Sequence, residues 1–448
     1  MSIAQHKAVL VLALPMILSN VTSPLLGLVD TAVIGHMDEP YYLGGVAVGS
    51  MIITLIFWLM GFLRMATTGM VAQAFGREQV NAQAKLLIQG LCIALAISLL
   101  ILVLQHPIKS LALWLAGASA EVSAQAQSYY SVRIWATPMA LTNLVLMGWL
   151  LGRQQAKLAM VAVIVTNCVN LSLDLWFVIG LGWGVQGVAW ASLLAESCSM
   201  VLLLVFANRQ LTSMGLSVVV ALKRHLAING LGALLALKRD IFIRSACLQA
   251  VFSFITFQGA RLGDIPLAAN AILLNFLMLI SYALDGFAYS AEAQVGQAYG
   301  QNKPERLHFL VKLNLLWGAF SGLCFSLAFL LFGEHLIALM TGIAEVQEYA
   351  KEYLMWVIAL PLLSFLCYLM DGVYIGAAKG AVMRNSMMVS ALAVFFPMWW
   401  ILHSFGLTNT ALWAALSAFM VARGLTLSGH YSWSIARRRF INNAAQSI

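Results

Sequence analysis

Long apolar runs alternating with short polar breaks give this chain its pattern. The runs fall near 8–35, 43–75, 86–105, 127–151, 158–180, 187–207, 242–262, 267–298, 308–332, 349–375, 382–404 and 409–431. Each reaches the roughly 20 residues that an α-helix needs to cross the hydrocarbon layer. The breaks hold residues that stop helices: Met37-Asp38-Glu39-Pro40, Gly76-Arg77-Glu78, Gly152-Arg153-Gln154-Gln155 and Gly300-Gln301-Asn302-Lys303-Pro304. Glycine and proline punctuate the pattern there, and the charges mark the water boundary. The expectation is an all-α membrane protein of twelve transmembrane helices.

The pattern repeats. Ala72-Gln73-Ala74-Phe75-Gly76 closes the second run and Gly296-Gln297-Ala298-Tyr299-Gly300 closes the eighth, with Gln297 standing 224 positions after Gln73. The same offset carries Gly148 to Gly372, Gly152 to Gly376 and Tyr129 to Tyr353, while Trp190 meets Trp413 one residue out of register. Several matches at one offset point to two pseudo-symmetric six-helix lobes. The reading assigns 1–207 to the first lobe, 208–241 to a cytoplasmic linker, 242–431 to the second lobe and 432–448 to a basic tail. With an even number of spans in each half, the repeats are parallel, an arrangement suited to alternating access around a central cavity.

Charge sharpens the topology. Arg77, Lys85, Arg153, Lys157, Lys303, Arg306, Lys379 and Arg384 sit in the even-numbered breaks. The central break carries Arg209, Lys223, Arg224, Lys238 and Arg239, and the tail carries Arg437, Arg438 and Arg439. Odd-numbered breaks such as 36–42 and 181–186 have almost no basic residues, so both termini are expected in the cytoplasm, beneath an inner membrane. Composition agrees: 62% of the 448 residues are hydrophobic and 9% charged, with mean hydropathy +0.88. A soluble chain carries about 25% charged residues. The net charge of +8 therefore reflects loop placement, and no nucleic-acid partner is expected.

The six cysteines all lie in apolar runs, without metal spacing, and read as packing residues. The first run is too long for a signal-peptide core. Phosphate-binding loops, HExxH, paired CxxC and G-x-S-x-G elements are absent, so neither an enzyme nor a bound cofactor or metal is expected.

An ionisable group inside hydrocarbon is unfavourable by at least ~2.5–3.5 kcal/mol, so it faces a cavity or a partner. The candidates are Asp30, Arg64, Asp174, Glu196, Asp285, Glu292 and Asp371. On the first run Asn20, Ser23, Gly27, Asp30 and Thr31 form one polar stripe, and Pro15 and Pro24 make that helix easy to bend. On the fifth, Asn167, Asn170 and Asp174 share a face. Two carboxylates meeting in a poorly hydrated cavity favour a shared or carried proton. Ser192 and Glu196 stand one turn apart on the sixth run, where Glu196 either lines a cavity or bonds a neighbouring hydroxyl. Asp285-Gly286 and Asp371-Gly372 are either a second ion site or packing and gating features, and Arg64 is the basic residue available to neutralise an acid. His36 reads as an interface residue. A methionine- and aromatic-rich interior adapts to varied apolar guests.

The segment from Leu14-Pro15-Met16-Ile17 through Gly27-Leu28-Val29-Asp30-Thr31-Ala32-Val33-Ile34-Gly35-His36 resembles the first helix of the multidrug and toxic compound extrusion (MATE) family. Leu43-Gly44-Gly45-Val46-Ala47, Gly184-Val185-Gln186-Gly187-Val188-Ala189-Trp190 and Ala283-Leu284-Asp285-Gly286 extend the likeness, which is closest to the DinF-like branch and covers essentially the whole chain. The resemblance implies a V-shaped, twelve-helix exporter of small organic cations and amphiphiles, expected to act as a monomer, in exchange for H⁺ or Na⁺. It also implies a cation-coupling site at Asp30, Asn170, Asp174 and Ser192, with bending of the first helix at Pro15. Another branch uses carboxylates on the seventh and tenth helices. This chain has Asp371 on the tenth but Gln249 on the seventh, which favours proton coupling in the first lobe over a Na⁺ site in the second. The rival reading, a lipid-linked-precursor flippase, calls for an Arg- and Lys-rich cavity, and Arg64 is nearly the only such residue expected in the spans.

Topology is checked with fusions. Alkaline phosphatase joined at Gly182 is expected to be active and at Gln301 inactive, and a fluorescent protein at the C-terminus is expected to fluoresce.

Overall fold

The computed structural model describes residues 3–34, 40–117, 119–216, 220, 223 and 231–441, with the side chains at 3, 4, 23–34, 40, 41, 43, 231 and 233 outside the description. Among the described residues the secondary structure is entirely helical. The helices are α1 (Ile3–Ile34), α2 (Pro40–Leu59), α3 (Phe62–Gly76), α4 (Val80–Val103), α5 (Gln105–Ala116), α6 (Ala120–Arg133), α7 (Thr137–Gly152), α8 (Ala156–Asp174) and α9 (Gly184–Thr212). There follow α10 (Leu231–Arg261), α11 (Asp264–Gly300), α12 (Pro304–Met340), α13 (Ala344–Gly376), α14 (Gly380–Val389), α15 (Phe396–Ser404) and α16 (Asn409–Ala436). After α1, 11 stretches of the described residues are long and apolar enough to cross a membrane. Large apolar side chains such as Leu99, Leu331 and Leu392 stay exposed on them, as lipid-facing helices require.

By contacts the chain forms two compact units: Leu18–Leu231, and Met1–Ile17 together with Gly232–Ile448. The α1 helix thus changes unit between Ile17 and Leu18, two residues beyond Pro15. Each unit has its own core. Leu63, Tyr130, Trp149 and Leu150 are buried in the first, where the Trp149 indole N–H donates to the Gln83 carbonyl at 2.9 Å. Phe329, Phe395, Trp413 and Phe419 anchor the second.

The internal repeat is written into the backbone. Gly148 on α7 lies so close to α3 that an added Cβ would stand 2.5 Å from the Arg64 carbonyl oxygen. At Gly372 on α13 the Cβ would stand 2.5 Å from the Ala288 carbonyl oxygen of α11. Both the glycine and its partner are shifted by 224 positions. Gly152 over Thr68 and Gly376 over Glu292 repeat the relation one turn later. Glycines four apart let two helices approach backbone to backbone, where dispersion substitutes for the hydrophobic effect that lipid does not supply. The tight turns repeat too. Glu78 and Asn302 take φ of 58° and 54°, and Gln154 and Ala378 take 62° and 53°. Each turn closes with the same three backbone hydrogen bonds. In the last of these turns Lys379 lies 4.4 Å above the Phe440 ring, and burial lowers its amine pKa.

The halves diverge where proline intervenes. Pro107 has no N–H to offer Val103, so α4 stops there and α5 begins anew. Its counterpart is Leu331, and α12 runs unbroken for 37 residues. Neither α5 nor the early start of α10 was legible in the apolar runs. Because α10 begins at Leu231, Lys238, Arg239 and Asp240 lie in a helix and not in an open break, and the Arg384 guanidinium donates to Asp240 Oδ1 at 2.7 Å. Nor are the two near-register tryptophans equivalent, since Trp190 is 41% exposed and Trp413 2%.

Gly148→Ala and Gly372→Ala are each expected to lower stability by about 1–3 kcal/mol through overpacking. Gly429→Ala, with open space around its Cβ position, should change it by less than about 0.5 kcal/mol. Thermal melts in detergent compare them.

Candidate cation-coupling site

In the first unit, α8 presents Asn167, Asn170 and Asp174 along one face, as their spacing predicts. The Asn167 amide donates to Thr22 Oγ1 at 2.9 Å, and that hydroxyl donates to the Ser19 carbonyl at 2.7 Å. The polar faces of α1 and α8 therefore meet. One turn further along, the Asn170 amide donates to Asp174 Oδ2 at 3.0 Å, and Asp174 is 0% exposed. At Asp174 the α-helix gives way to a π-helical segment, Leu175–Gly180, in which each backbone N–H reaches one residue further back. Ser192, on α9, is buried in the same unit, and Asn20 on α1 is half-buried.

The Asp30 side chain, like those of Ser23, Pro24 and Thr31, lies outside the described residues, and so does His36. The helix carrying Asp30 is described through Ile34. At 1.5 Å per residue, Asp30 stands about 12 Å beyond Thr22 and Asp174 about 10.5 Å beyond Asn167. Since Thr22 and Asn167 touch and both helices belong to odd-numbered spans running the same way, the register sets the backbone of residues 30 and 174 at nearly one depth.

Glu196 lies elsewhere in this unit and does not bond a hydroxyl. Asn143 on α7 donates to Glu196 Oε2 at 2.7 Å, and Arg133, at the end of α6, approaches Oε1 to 3.6 Å. The Arg133 guanidinium also sits 5.3 Å over the Phe57 ring.

In the second unit Asp371 is enclosed by two arginines. Arg244 on α10 and Arg423 on α16 both donate to its Oδ2, the latter at 2.7 Å. All three residues are at least nine-tenths buried. The Asp371 carboxylate is thus compensated by Arg244 and Arg423, where the sequence offered Arg64; Arg64 itself is buried on α3 of the other unit. Asp285, on α11, lies near Tyr368 and Cys367 of this cluster. The adjacent Gly286 receives Ala13 and Ile17 of α1, a close packing contact. Gln249 donates to Ser253 at 3.2 Å. No group of three His, Cys, Asp or Glu among the described residues could hold a metal ion.

Arg133, Arg244 and Arg423 are what sequence reading missed. The expectation that the spans hold little basic charge besides Arg64 is wrong, because all three lie within helical spans. The signal was present as single arginines inside apolar runs, but only the fold shows which acid each one meets. The repeat sharpens the contrast between the units. The corresponding helix crossing of the second unit is made by Cys367 and Met420, whose sulfur atoms stand 3.9 Å apart. At 224 positions on, Asn170 and Asp174 become Val394 and Met398. The two units share a backbone plan and differ in where they hold charge.

A family profile described as MatE matches residues 15–176 and 241–401. The chain is 45% identical to the DNA damage-inducible protein F of Escherichia coli over 95% of this chain and 92% of that protein. It is 24% identical to the multidrug resistance protein MdtK of Yersinia pseudotuberculosis, over 89% of this chain and 86% of that one. Among solved structures, the outward-facing conformation of a multidrug resistance MATE family transporter of the MOP superfamily superposes with a TM-score of 0.85 at 20% identity, covering 97% of this chain and 96% of the other. That likeness shows the fold.

Removing one member of a buried ion cluster leaves the others uncompensated. Asp371→Ala is expected to lower stability by about 3–5 kcal/mol, and the triple replacement Arg244→Met, Asp371→Leu, Arg423→Met to restore most of the loss. A wild-type melting temperature for Asp371→Ala would contradict the pairing.

Proposed function

The chain belongs to the MatE family of membrane transporters, and from that premise we propose that it exports organic cations and related amphiphiles in exchange for protons. It works by alternating access as a monomer in the inner membrane, with both termini in the cytoplasm. The observation that carries this reading is Asp174: a fully buried carboxylate, held by Asn170, on the helix whose polar face meets the helix that also carries Asp30. Two carboxylates in a poorly hydrated bundle favour a shared or carried proton. Protonation from the outer side displaces the cationic guest, and proton release to the cytoplasm resets the carrier. One charge moved through 100 mV supplies ~2.3 kcal/mol, before any pH gradient. Ser192 and Asn20 line the same polar region, and Pro15 marks where α1 gives.

Proton coupling is favoured over Na⁺ by the second unit. Asp371, the acid a Na⁺ site there would need, already receives Arg244 and Arg423, and Gln249 stands where a second carboxylate would be required. The same pairing weighs against the flippase reading, since these buried guanidiniums are engaged by a carboxylate.

In proteoliposomes, a cationic dye gradient should drive proton flux equally with and without Na⁺. Asp30→Asn and Asp174→Asn are each expected to cut that flux at least tenfold. Full coupled exchange in either variant would reject the site, and strict dependence on Na⁺ would reject the ion.

A further inference from the structure

The first unit holds a second carboxylate that the coupling chemistry does not use. Glu196 differs from Asp174 in being reachable: its side chain is 25% exposed, whereas Asp174 is 0% exposed. An ionised group facing lipid is strongly disfavoured, so the open edge of Glu196 faces a polar space. The carboxylate is held on one side only. Asn143 Nδ2 donates to Oε2 at 2.7 Å and to the Glu196 carbonyl at 3.1 Å. Arg133 stays 3.6 Å from Oε1, beyond normal hydrogen-bond length, which leaves that oxygen electrostatically satisfied but geometrically open.

Two further polar atoms are left over at this spot. Arg133 Nη1 and Asn143 Oδ1 are buried and have no hydrogen-bond partner, although both residues are more than nine-tenths buried. Unmet buried donors and acceptors are unfavourable, so this cluster is incompletely satisfied around the carboxylate. The internal repeat argues against a purely structural role. The same helix crossing in the second unit is made by Cys367 and Met420, and Arg133 is replaced there by Val357, so this packing needs no charge.

Resting on the organic-cation reading above, we infer that Glu196 receives the cationic group of the substrate and that Arg133 is its built-in competitor. Without a guest, Arg133 neutralises the carboxylate. A monovalent organic cation takes the place of Arg133 beside Oε1, and Arg133 withdraws onto the Phe57 face that already lies 5.3 Å beneath it. Glu196 and Asp174 then serve one unit, in which a guest on the first and a proton on the second exclude one another.

The two partners of this ion pair should respond in opposite directions. Tetraphenylphosphonium binding is measured by equilibrium dialysis on the protein in nanodiscs at fixed pH. Glu196→Gln keeps the shape and the Asn143 bond and is expected to weaken binding about tenfold or more. Arg133→Gln removes the competitor and is expected to tighten binding about threefold or more, while Arg133→Lys, which keeps the charge, stays near wild type. Arg133→Met is measured beside Arg133→Gln, so that failure of one variant to fold leaves the other. Weaker or unchanged binding in the folded Arg133 variants overturns the inference, and so does wild-type binding in Glu196→Gln. If the wild type itself does not bind this probe, the organic-cation reading fails, and the inference falls with it.

Discussion

Charge inside a membrane has to be compensated within the bundle that holds it, because lipid offers neither counter-ions nor hydrogen bonds. Three acids described in this chain meet that constraint differently. Asp371 is matched by two guanidiniums that donate to the same carboxylate oxygen. Glu196 is matched loosely, by an amide at hydrogen-bond distance and an arginine beyond it. Asp174 is fully buried and receives the Asn170 amide at 3.0 Å. The three acids thus differ in how the surrounding bundle holds them.

Duplication explains how these differences arose on one scaffold. The glycine contacts of Gly148 and Gly152 with α3 recur at Gly372 and Gly376 with α11, and the left-handed turn residues recur at the same offset. Those positions set helix spacing, so they are constrained by backbone sterics. The side chains filling the space between them are not. Asn143–Glu196 in one unit and Cys367–Met420 in the other make one crossing with opposite chemistry. The first unit holds its acid with an amide while the second closes its acid with arginine, on one plan of bundle.

Much of this was legible in the sequence. Turn chemistry at Gly76, Gly152 and Gly300 located the helix ends, and the i, i+3, i+7 spacing of Asn167, Asn170 and Asp174 named the face that carries the acid. What stayed hidden depends on tertiary contact. A lone Arg244 or Arg423 in an apolar run does not announce which carboxylate it will meet 127 or 52 residues away. The π-helical segments after Asp174 and at Ser390–Phe395 are themselves largely apolar, with no breaker residue ahead of them to mark them. The start of α10 was read too late because Lys238 and Arg239 look like loop residues until Lys238 is seen to be buried in the second unit.

The central claim is that a proton and a cationic guest exclude one another in the first unit. Proton release on guest binding reads that exclusion without a membrane. Purified protein in weakly buffered detergent near neutral pH is mixed with a permanently charged organic cation while a pH indicator records the solution. The account predicts release of protons in step with bound guest, abolished when Asp174 is replaced by asparagine. Saturating guest binding with no proton released at any pH would contradict it.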